Sequence, residues 1–286
     1  MILLTGATGN VGSHLLSELS RGGHPVRALV RSAEKADTLR GYDCETAIGD
    51  FDDPASLHRA CAGVDRVFLL SPAGERMAEQ EKAVVEAAAA AHGQVRVVKL
   101  AAAGYHQGRT ALGEQHAAVV EHLRASGLPH TVLAPSVFMQ NTLAWAGSIS
   151  ETGQFATPAG DGAVSHVDSR DVAAVAAHVL TTDGHEGASY TVTGPEALTY
   201  TQVAERFSGA LDKPVRYQDV PPAAAREAMV AAGMSPWLAD SLVELATGDR
   251  SGVAAVTTDE VQKATGRPAR SFEDFLRDHR AAFQTL

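Results

Sequence analysis

The sequence predicts an α/β protein with a doubly wound parallel sheet and a smaller, mostly helical C-terminal part. This prediction rests on how the chain begins and on how its pattern repeats. The apolar run Met1–Thr5 is typical of a buried parallel strand, and Ser13–Arg21 carries apolar residues at helical spacing. Short apolar runs and helical segments then alternate through the first half of the chain. This alternation indicates right-handed βαβ units, with helices on both faces of the sheet.

Three glycines lie between the first strand and the first helix, at Gly6, Gly9 and Gly12. Gly6 permits a tight turn, Gly9 lets backbone N–H groups approach a pyrophosphate, and Gly12 lets the helix pack against the strand. An anion bound there would lie at the positive end of the helix. The segment Gly6–Gly12 therefore predicts a dinucleotide site of the Rossmann type.

The residue after the second strand indicates which dinucleotide is bound. Arg31 follows the predicted strand Pro25–Val30, at the distance from the glycines where NAD sites usually carry an acid for the ribose 2′-OH. An Arg at this position suits the 2′-phosphate of NADP, because its guanidinium matches phosphate oxygens. The next acid, Glu34, comes three residues later. Arg31 therefore favours NADP(H), with NAD(H) as the alternative.

Four further strands and three further helices are predicted before residue 136. The strands are Glu45–Ile48, Val67–Leu70, Val95–Leu100 and His130–Leu133, and the helices are Ser56–Ala62, Arg76–Ala91 and Leu112–Ser126. Ligands of parallel sheets bind beyond the carboxyl ends of the strands. The loops 71–75, 101–110 and 134–141 should therefore line the site.

The pattern becomes less regular after residue 135, which indicates two parts. We expect a dinucleotide-binding domain over residues 1–135, completed by about 163–194, and a substrate-binding cap made of 136–162 and 195–286. The elements expected in the second half are strands at Ala163–Val167 and Ser189–Val192, a helix at Ser169–Leu180, a helix opened by the capping box Thr199 and Gln202, and C-terminal helices broken at Gly233, Gly248 and Gly266. Several large apolar residues there predict either a pocket for a flat substrate or ordinary core: Phe138, Met139, Trp145, Phe155, Met229, Met234 and Trp237.

Composition argues against several classes of protein. The chain has 286 residues, of which 45% are hydrophobic, and its net charge of −10 does not suit nucleic-acid binding. Cys44 and Cys61 are too few for a disulfide framework, and no His-x3-His or Cys-x2-Cys pair suggests a metal site. No apolar run has the length of a membrane helix, and the chain starts directly in a strand. We therefore expect a cytoplasmic protein without metal, membrane or nucleic-acid partners.

Several motifs together resemble the NmrA-like family of atypical short-chain dehydrogenases, over nearly the full length of the chain. They are Thr5–Gly12, Val30–Arg31, Gly49–Asp53, Ser126–Thr131, Pro135–Asn141, Val167–Ala173, Thr193–Pro195 and Thr265–Pro268. The family includes NADPH-dependent quinone reductases, triphenylmethane reductases and isoflavone reductase relatives. It also includes tailoring enzymes for aromatic natural products, some described as oxygenases, and cofactor-binding regulators that catalyse nothing.

The resemblance also implies which residues contact the cofactor. The pyrophosphate would be held by Thr8, Gly9, Asn10 and Val11, and the adenosine end by Arg31. The adenine and the adjacent ribose would be bordered by Asp50, Phe51, Leu70, Ser71 and Pro72. The nicotinamide would be bordered by Ala101, Ala102, Pro135 and Phe138.

The chain departs from the usual catalytic residues of short-chain dehydrogenases. These enzymes use a Ser after the fifth strand and a Tyr-x3-Lys on the next helix, and the matching positions here are Ala101, Leu112 and His116. No Tyr-x3-Lys occurs anywhere in the chain, and the usual Arg before Pro135 is Ala134. Proton transfer by the standard triad is therefore excluded.

His116, Tyr105 and His106 are the candidate catalytic residues that remain. His116 falls on the apolar stripe of its helix, where a histidine can donate a proton, orient a ribose hydroxyl or simply belong to the core. Tyr105 and His106 lie in the loop after the fifth strand. Glu114 and Gln115 should face the solvent.

Three functions are compatible with these residues. The first is an NAD(P)H-dependent oxidoreductase acting on a planar aromatic or quinone-type substrate, because such a substrate accepts a hydride with little help from side chains. The second is an oxygenase or hydroxylase, in effect a monooxygenase, that tailors an aromatic polyketide. The third is a non-catalytic NADP(H)-binding redox sensor, which the missing triad would fit. A small molecule is the expected partner, and assembly into a homodimer is left open.

Overall fold

The computed structural model describes residues 1–91, 93–108 and 110–284, and eleven strands occur within these ranges. In chain order they are β1 (Ile2–Leu4), β2 (Val26–Val30), β3 (Glu45–Ile48), β4 (Arg66–Leu69), β5 (Arg96–Leu100), β6 (His130–Pro135), β7 (Gln154–Thr157), β8 (Ala163–Val164), β9 (Ser189–Val192), β10 (Leu198–Thr199) and β11 (Arg216–Asp219). Seven of them make one parallel sheet in the spatial order β3-β2-β1-β4-β5-β6-β9. The winding direction reverses between β1 and β4, and open α/β sheets bind ligands at such a point.

Twelve α-helices occur in the same ranges. They are α1 (Asn10–Arg21), α2 (Ala33–Asp37), α3 (Pro54–Cys61), α4 (Met77–Ala89), α5 (Ala111–Ser126), α6 (Ala146–Thr152), α7 (Ser169–Thr181), α8 (Tyr200–Leu211), α9 (Pro222–Ala231), α10 (Pro236–Asp249), α11 (Glu260–Thr265) and α12 (Phe272–His279). Short 3-10 helices cover Tyr105–Gln107, Met139–Trp145 and Arg280–Phe283.

The helices cover both faces of the large sheet. On one face α1 and α7 bury Leu16 and Val175, and on the other α4 and α5 bury Val84 and Val119. Each of these side chains is at most 2% exposed, so each contributes about 1.5–3 kcal/mol through burial. The predicted doubly wound α/β fold is confirmed.

Two features of the C-terminal part agree with the sequence prediction: the capping box of α8 and the buried aromatic side chains near the chain end. Gln202 N donates to Thr199 Oγ1 at 3.2 Å, and Thr199 N donates to Gln202 Oε1 at 2.9 Å, which completes the capping box of α8. Such a cap stabilises a helix by about 1 kcal/mol. At the other end Phe272, Phe275 and Phe283 are at most 1% exposed, so α12 and the 3-10 helix after it pack their aromatic side chains inward.

One predicted boundary in the second half is confirmed to within one residue, and another is wrong. The break predicted at Gly248 matches the end of α10 at Asp249. The strand expected over Ala163–Val167 ends at Val164. Ser165 Oγ then lies 2.9 Å from the carbonyl oxygen of Ala254, so the chain leaves the strand to contact the segment after α10.

The large apolar side chains expected around a flat pocket divide into two groups. Trp145 stacks on Phe155 with ring centroids 4.4 Å apart, and Met139 is buried in the same cluster. This first group is the core of the C-terminal part. The second group is partly exposed on or between α9 and α10 and consists of Met229, Met234 and Trp237. Trp145 and Phe138 are also partly exposed, so surface available to a ligand occurs in both parts of this set.

The strands outside the large sheet form two small sheets. β8 pairs with β10 in the antiparallel sense, and β7 pairs with β11 in the parallel sense. β9 extends the large sheet beside β6. We keep the division into a dinucleotide-binding domain (1–135, completed by about 163–194) and a cap (136–162 and 195–286) as a proposal.

Further features concern membranes, metals and thiols. Over the described ranges, no helix combines the length and the apolar character needed to cross a bilayer. Within those same residues, no group of three or more His, Cys, Asp or Glu side chains is placed to hold a metal ion. Cys44 and Cys61 are free thiols, and burial raises the pKa of Cys61 to about 11, which disfavours the reactive thiolate.

Candidate cofactor and active site

The three glycines after β1 form the turn that opens α1. Gly6 has φ +66°, in the left-handed region that favours glycine. A Cβ at Gly12 would lie 2.0 Å from the carbonyl oxygen of Gly6, so only glycine lets α1 pack this closely on the turn. A Cβ at Gly9 would meet the same oxygen at 3.3 Å, a contact that a small shift relieves. The steric roles predicted for Gly6 and Gly12 are confirmed, and the cofactor role of Gly9 stays a prediction.

The amino end of α1 is open to an anion. The first N–H groups of a helix have no carbonyl partner within it, and no side chain among the described residues caps this end. Thr8, Gly9 and Asn10 are exposed, whereas Val11 is 2% exposed and anchors the helix in the core. Free N–H groups at the positive end of a helix dipole suit a pyrophosphate.

Thr5 joins the ends of β1 and β4. Its Oγ1 accepts a hydrogen bond from Leu70 N at 2.8 Å and lies 2.8 Å from Leu70 O. The glycine turn therefore lies against Leu70, whose Cγ would be 3.2 Å from a Cβ at Gly6. Ser71, which is buried, and Pro72, which is exposed, follow directly. The structure thus brings the residues implied for the pyrophosphate next to those implied for the ribose.

Arg31 is exposed at the end of β2 and makes no hydrogen bond or ion pair with any residue that the structure describes. Glu34, the acid that could compete for a ribose, is held at the start of α2. A hydrogen bond with Ser32 is the main reason why the pKa of Glu34 lies below its ordinary value. The guanidinium is therefore available for a phosphate, while the carboxylate already has a partner.

Asp50 and Phe51 begin the loop after β3. They lie beside Arg31 because Val30 of β2 pairs with Ile48 of β3. Phe51 is partly buried against the apolar cluster under α3 and α4, and Asp50 is partly buried as well. The two neighbouring strand ends therefore place one cation, one acid and one ring around the position where an adenosine would lie.

The loops after β5 and β6 form an apolar border. Ala101 is 5% exposed and Ala102 is partly exposed, and Ala103 N donates to the carbonyl oxygen of Pro135 at 2.8 Å. Phe138 is partly buried just beyond Pro135. No side chain of these five residues can donate a proton, so this border can shape a pocket but cannot act as an acid.

A buried polar network holds the segment after Phe138. Gln140 Nε2 donates to Asp168 Oδ1 at 3.1 Å, and the Arg170 guanidinium donates to both carboxylate oxygens, at 2.9 and 2.6 Å. Burial acts to raise the pKa of Asp168, but the hydrogen bonds from Arg170 outweigh it and the pKa lies below its usual value. The charged pair therefore fixes the loop that carries Phe138.

The prediction that Gln115 faces the solvent is wrong. Its Oε1 accepts from Ala78 N at 2.7 Å, and its Nε2 donates to the carbonyl oxygens of Gly74 and Glu75 at 3.2 and 2.7 Å. The amide thereby ties α5 to the loop between β4 and α4. Glu114, by contrast, is exposed as predicted.

Tyr105 and His106 face in different directions. Tyr105 is 6% exposed and packs in a cluster with Ala101, Val120 and Ala134, which favours a packing role for its ring. His106 is exposed, with its ring 5.4 Å from that of Tyr105. A catalytic role for either residue stays a prediction.

His116 faces the sheet from α5, as the apolar stripe predicts. It is 7% exposed, and its Nδ1 has no hydrogen-bond partner among the described residues. Burial, and secondly the ammonium of Lys99, lower the pKa of His116 to about 2. The imidazole is therefore neutral near pH 7. A neutral ring fits the roles of orienting a hydroxyl or packing in the core, and it does not fit the role of an imidazolium acid.

The burial of neutral His116 should make the fold sensitive to acid. The unfolded chain binds a proton at this residue below pH 6.5, whereas the folded chain does so only near pH 2, so stability falls as the pH drops below 6.5. Between pH 7.5 and 5.5 this residue should cost about 1.4 kcal/mol, one pKa unit's worth. We expect the stability difference between wild type and His116→Leu to change by that amount in urea unfolding at the two pH values. The exposed His106→Leu serves as the control, and equal pH dependence of all three proteins would contradict the prediction.

A buried ion pair that the sequence does not predict lies beside His116. Lys99 Nζ on β5 is 2.6 Å from Glu81 Oε2 on α4, and both side chains are 0% exposed. Glu81 Oε1 accepts hydrogen bonds from Ser71 N at 3.0 Å and from Ser71 Oγ at 3.1 Å. A chain of polar contacts therefore runs from the middle of the sheet to the ribose side of the candidate site.

One signal in the sequence could have revealed this pair. Lys99 stands within the apolar run Val95–Leu100, on the same strand face as Val97, and a charge in a buried strand requires a partner. The partner Glu81 is 18 residues earlier on an otherwise ordinary helix, so its identity is visible only in the structure.

A family model and known proteins match this chain over almost its whole length. The model described as the NmrA-like family matches residues 1–276. An NAD(P)H azoreductase of Xenophilus azovorans is 38% identical over 283 residues, which cover 99% of each chain. A (4-alkanoyl-5-oxo-2,5-dihydrofuran-3-yl)methyl phosphate reductase of Streptomyces griseus is 40% identical over 285 residues, again covering 99% of each.

The fold also matches a solved structure over almost the whole chain. An NADPH-dependent quinone oxidoreductase of Escherichia coli, in complex with NADPH, superposes with a TM-score of 0.90 at 29% identity, covering 97% of this chain and 99% of that one. The matches extend over the glycine turn, the ends of the parallel strands and the C-terminal part. Sequence motifs, fold and relatives therefore agree, and this chain belongs to the NmrA-like family.

Proposed function

We propose that this protein is an NADP(H)-dependent oxidoreductase that reduces a planar aromatic or quinone-type acceptor. The observation that carries the proposal is the edge where β1, β2 and β4 end. Three groups follow the ends of these neighbouring strands. They are the open amino end of α1 after β1, the exposed Arg31 after β2 and Ser71 after β4. These groups match a pyrophosphate, a 2′-phosphate and a ribose in turn.

The relatives favour acceptors that need no strong acid. An azo group, a quinone and an acylated dihydrofuranone, the groups in the relatives' names, are all electron-poor conjugated systems. Negative charge that enters such a system with the hydride is spread over several atoms, so water can deliver the one proton that completes the reduction. Ala101 and Leu112 in place of the usual Ser and Tyr are therefore compatible with this chemistry, and they disfavour unactivated ketones and alcohols.

The chain's own residues position the reactants. NADPH supplies the hydride when it is bound. The amino end of α1 holds the pyrophosphate, and Arg31 selects the 2′-phosphate. The apolar border made by Ala101, Pro135 and Phe138 excludes water from the nicotinamide, and neutral His116 orients a hydroxyl beside it. The net reaction adds one hydride and one proton to the acceptor.

Gly9→Ala tests the cofactor site with little risk to the fold. A methyl group at this position would occupy the space where the pyrophosphate approaches the backbone, yet it would lie 3.3 Å from its nearest protein neighbour, Gly6 O. We expect NADPH affinity, measured by calorimetry, to fall at least about tenfold, roughly 1.4 kcal/mol, with little change in melting temperature. Unchanged affinity would remove the pyrophosphate from this turn.

Activity is tested by following NADPH absorbance with a panel of quinones and azo dyes, with and without oxygen. Steady oxidation of NADPH that does not need oxygen is the expected result. Turnover that requires and consumes oxygen would instead support the oxygenase that tailors an aromatic polyketide. Tight NADPH binding without turnover of any acceptor would support the redox sensor.

The proposed function includes a cellular location and an assembly state. We propose a cytoplasmic enzyme, for which two free cysteines are suitable. A homodimer stays a prediction, which sedimentation of the purified protein would test.

A further inference from the structure

We propose that Glu81 and Lys99 are positioning residues that fix the hydroxyl of Ser71, so that Ser71 accepts a hydrogen bond from a ribose hydroxyl of the cofactor. This inference rests on the proposed function for the identity of the cofactor. It goes beyond that function because it gives the buried ion pair a task in cofactor binding.

Glu81 contacts Lys99 through one carboxylate oxygen and Ser71 through the other. Lys99 Nζ lies 2.6 Å from Glu81 Oε2 and donates to the carbonyl oxygen of Leu100 at 2.5 Å, so the ammonium is held from two sides. The opposite oxygen of Glu81 receives both the N–H and the hydroxyl of Ser71, at 3.0 and 3.1 Å. Lys99 therefore fixes one end of the carboxylate, and Ser71 is fixed at the other.

The hydrogen bond to Glu81 determines whether the Ser71 hydroxyl can donate to a ligand or accept from it. An ionised carboxylate only accepts hydrogen bonds, so the hydroxyl proton of Ser71 must point toward Glu81. The lone pairs of Ser71 Oγ are then left for another donor. Ser71 lies between Leu70, which touches the glycine turn, and the exposed Pro72, at the carboxyl edge of the sheet. A ribose hydroxyl is a donor that fits this place and this polarity.

Stability alone does not explain why the pair is present. Removing two charges from water carries a desolvation cost that can exceed their mutual attraction, and apolar side chains of similar size are often as stabilising. Both charges here are fully buried, on two elements, β5 and α4, that also contribute Val97 and Val84 to one apolar core cluster. Burial also lowers the pKa of Lys99, although Glu81 opposes this effect. A role in holding Ser71 accounts for the pair where packing does not.

The experiment measures NADPH dissociation constants, without acceptor, for a set of matched variants. Ser71→Ala and the apolar pair Glu81→Leu with Lys99→Met should each weaken binding by about 3- to 10-fold, the range of one hydrogen bond. The neutral pair Glu81→Gln with Lys99→Met keeps an acceptor for Ser71 but no longer fixes the direction of its hydroxyl, so its affinity should lie between wild type and the apolar pair. Adding Ser71→Ala to the apolar pair should cause no further loss, because the two changes remove the same interaction.

Glu81→Asp tests the same contact with a smaller change to the buried side chains. Glu81→Asp keeps the charge beside Lys99 but shortens the reach to Ser71, so it should weaken NADPH binding about as much as Ser71→Ala does. Unchanged affinity in Glu81→Asp, or fully additive losses for Ser71→Ala and the apolar pair, would overturn the inference. Failure of the proposed function is a separate result, in which wild type binds NADPH but reduces no acceptor.

Discussion

Replacing Arg31 with Ala should weaken NADPH binding by about 10- to 150-fold and should leave NADH binding nearly unchanged. The physical reason is that a charge-assisted hydrogen bond is worth about 1.5–3 kcal/mol, and only NADPH carries the 2′-phosphate that would receive it. Arg31 is exposed at the end of β2 and has no other partner among the described residues, so its removal breaks no contact within the fold. Calorimetric titration with both nucleotides measures the effect directly.

Two controls separate a specific contact from a general loss of charge. Arg40→Ala removes another exposed guanidinium, one that pairs with Asp37 at 2.7 Å, and should change neither affinity. Arg31→Lys keeps the charge but not the planar fork, so its NADPH affinity should lie between wild type and Arg31→Ala. Equal losses for NADPH and NADH in Arg31→Ala would place Arg31 on the adenine instead of the phosphate.

Much of the fold could be predicted because it depends on local patterns. The apolar runs that precede the loops at 71–75 and 101–110 identified the strands, and the glycine turn identified their ligand edge. The capping box at Thr199 located a helix start to the residue, since its two hydrogen bonds are set by spacing alone. The strand expected over Ala163–Val167 was predicted too long, because Ser165 bonds to the carbonyl oxygen of Ala254 and the local pattern does not show that distant partner.

The site could be predicted less completely than the fold. The residues proposed to bind through the backbone or by position, such as Gly6 and Arg31, follow from the order of strands and turns. Gln115 and Lys99 act through partners from other elements, and spacing along one helix or strand does not show those partners. The lowered pKa of His116 likewise depends first on its burial against the sheet and second on the ammonium of Lys99, and spacing along the helix shows neither in full.

The largest expected effect on stability comes from removing Lys99 alone. Lys99→Met should lower the free energy of unfolding by about 3–5 kcal/mol, because it leaves the carboxylate of Glu81 buried without its cation. This is a large share of the 5–15 kcal/mol that keeps a typical domain folded. Urea unfolding followed by circular dichroism gives the value.

The paired variant identifies the cause of this loss. If the unpaired charge is responsible, Glu81→Gln added to Lys99→Met should restore most of the lost stability, since no ion then remains buried. If the double variant were as unstable as Lys99→Met, the loss would come from the packing of the lysine side chain and not from the ion pair.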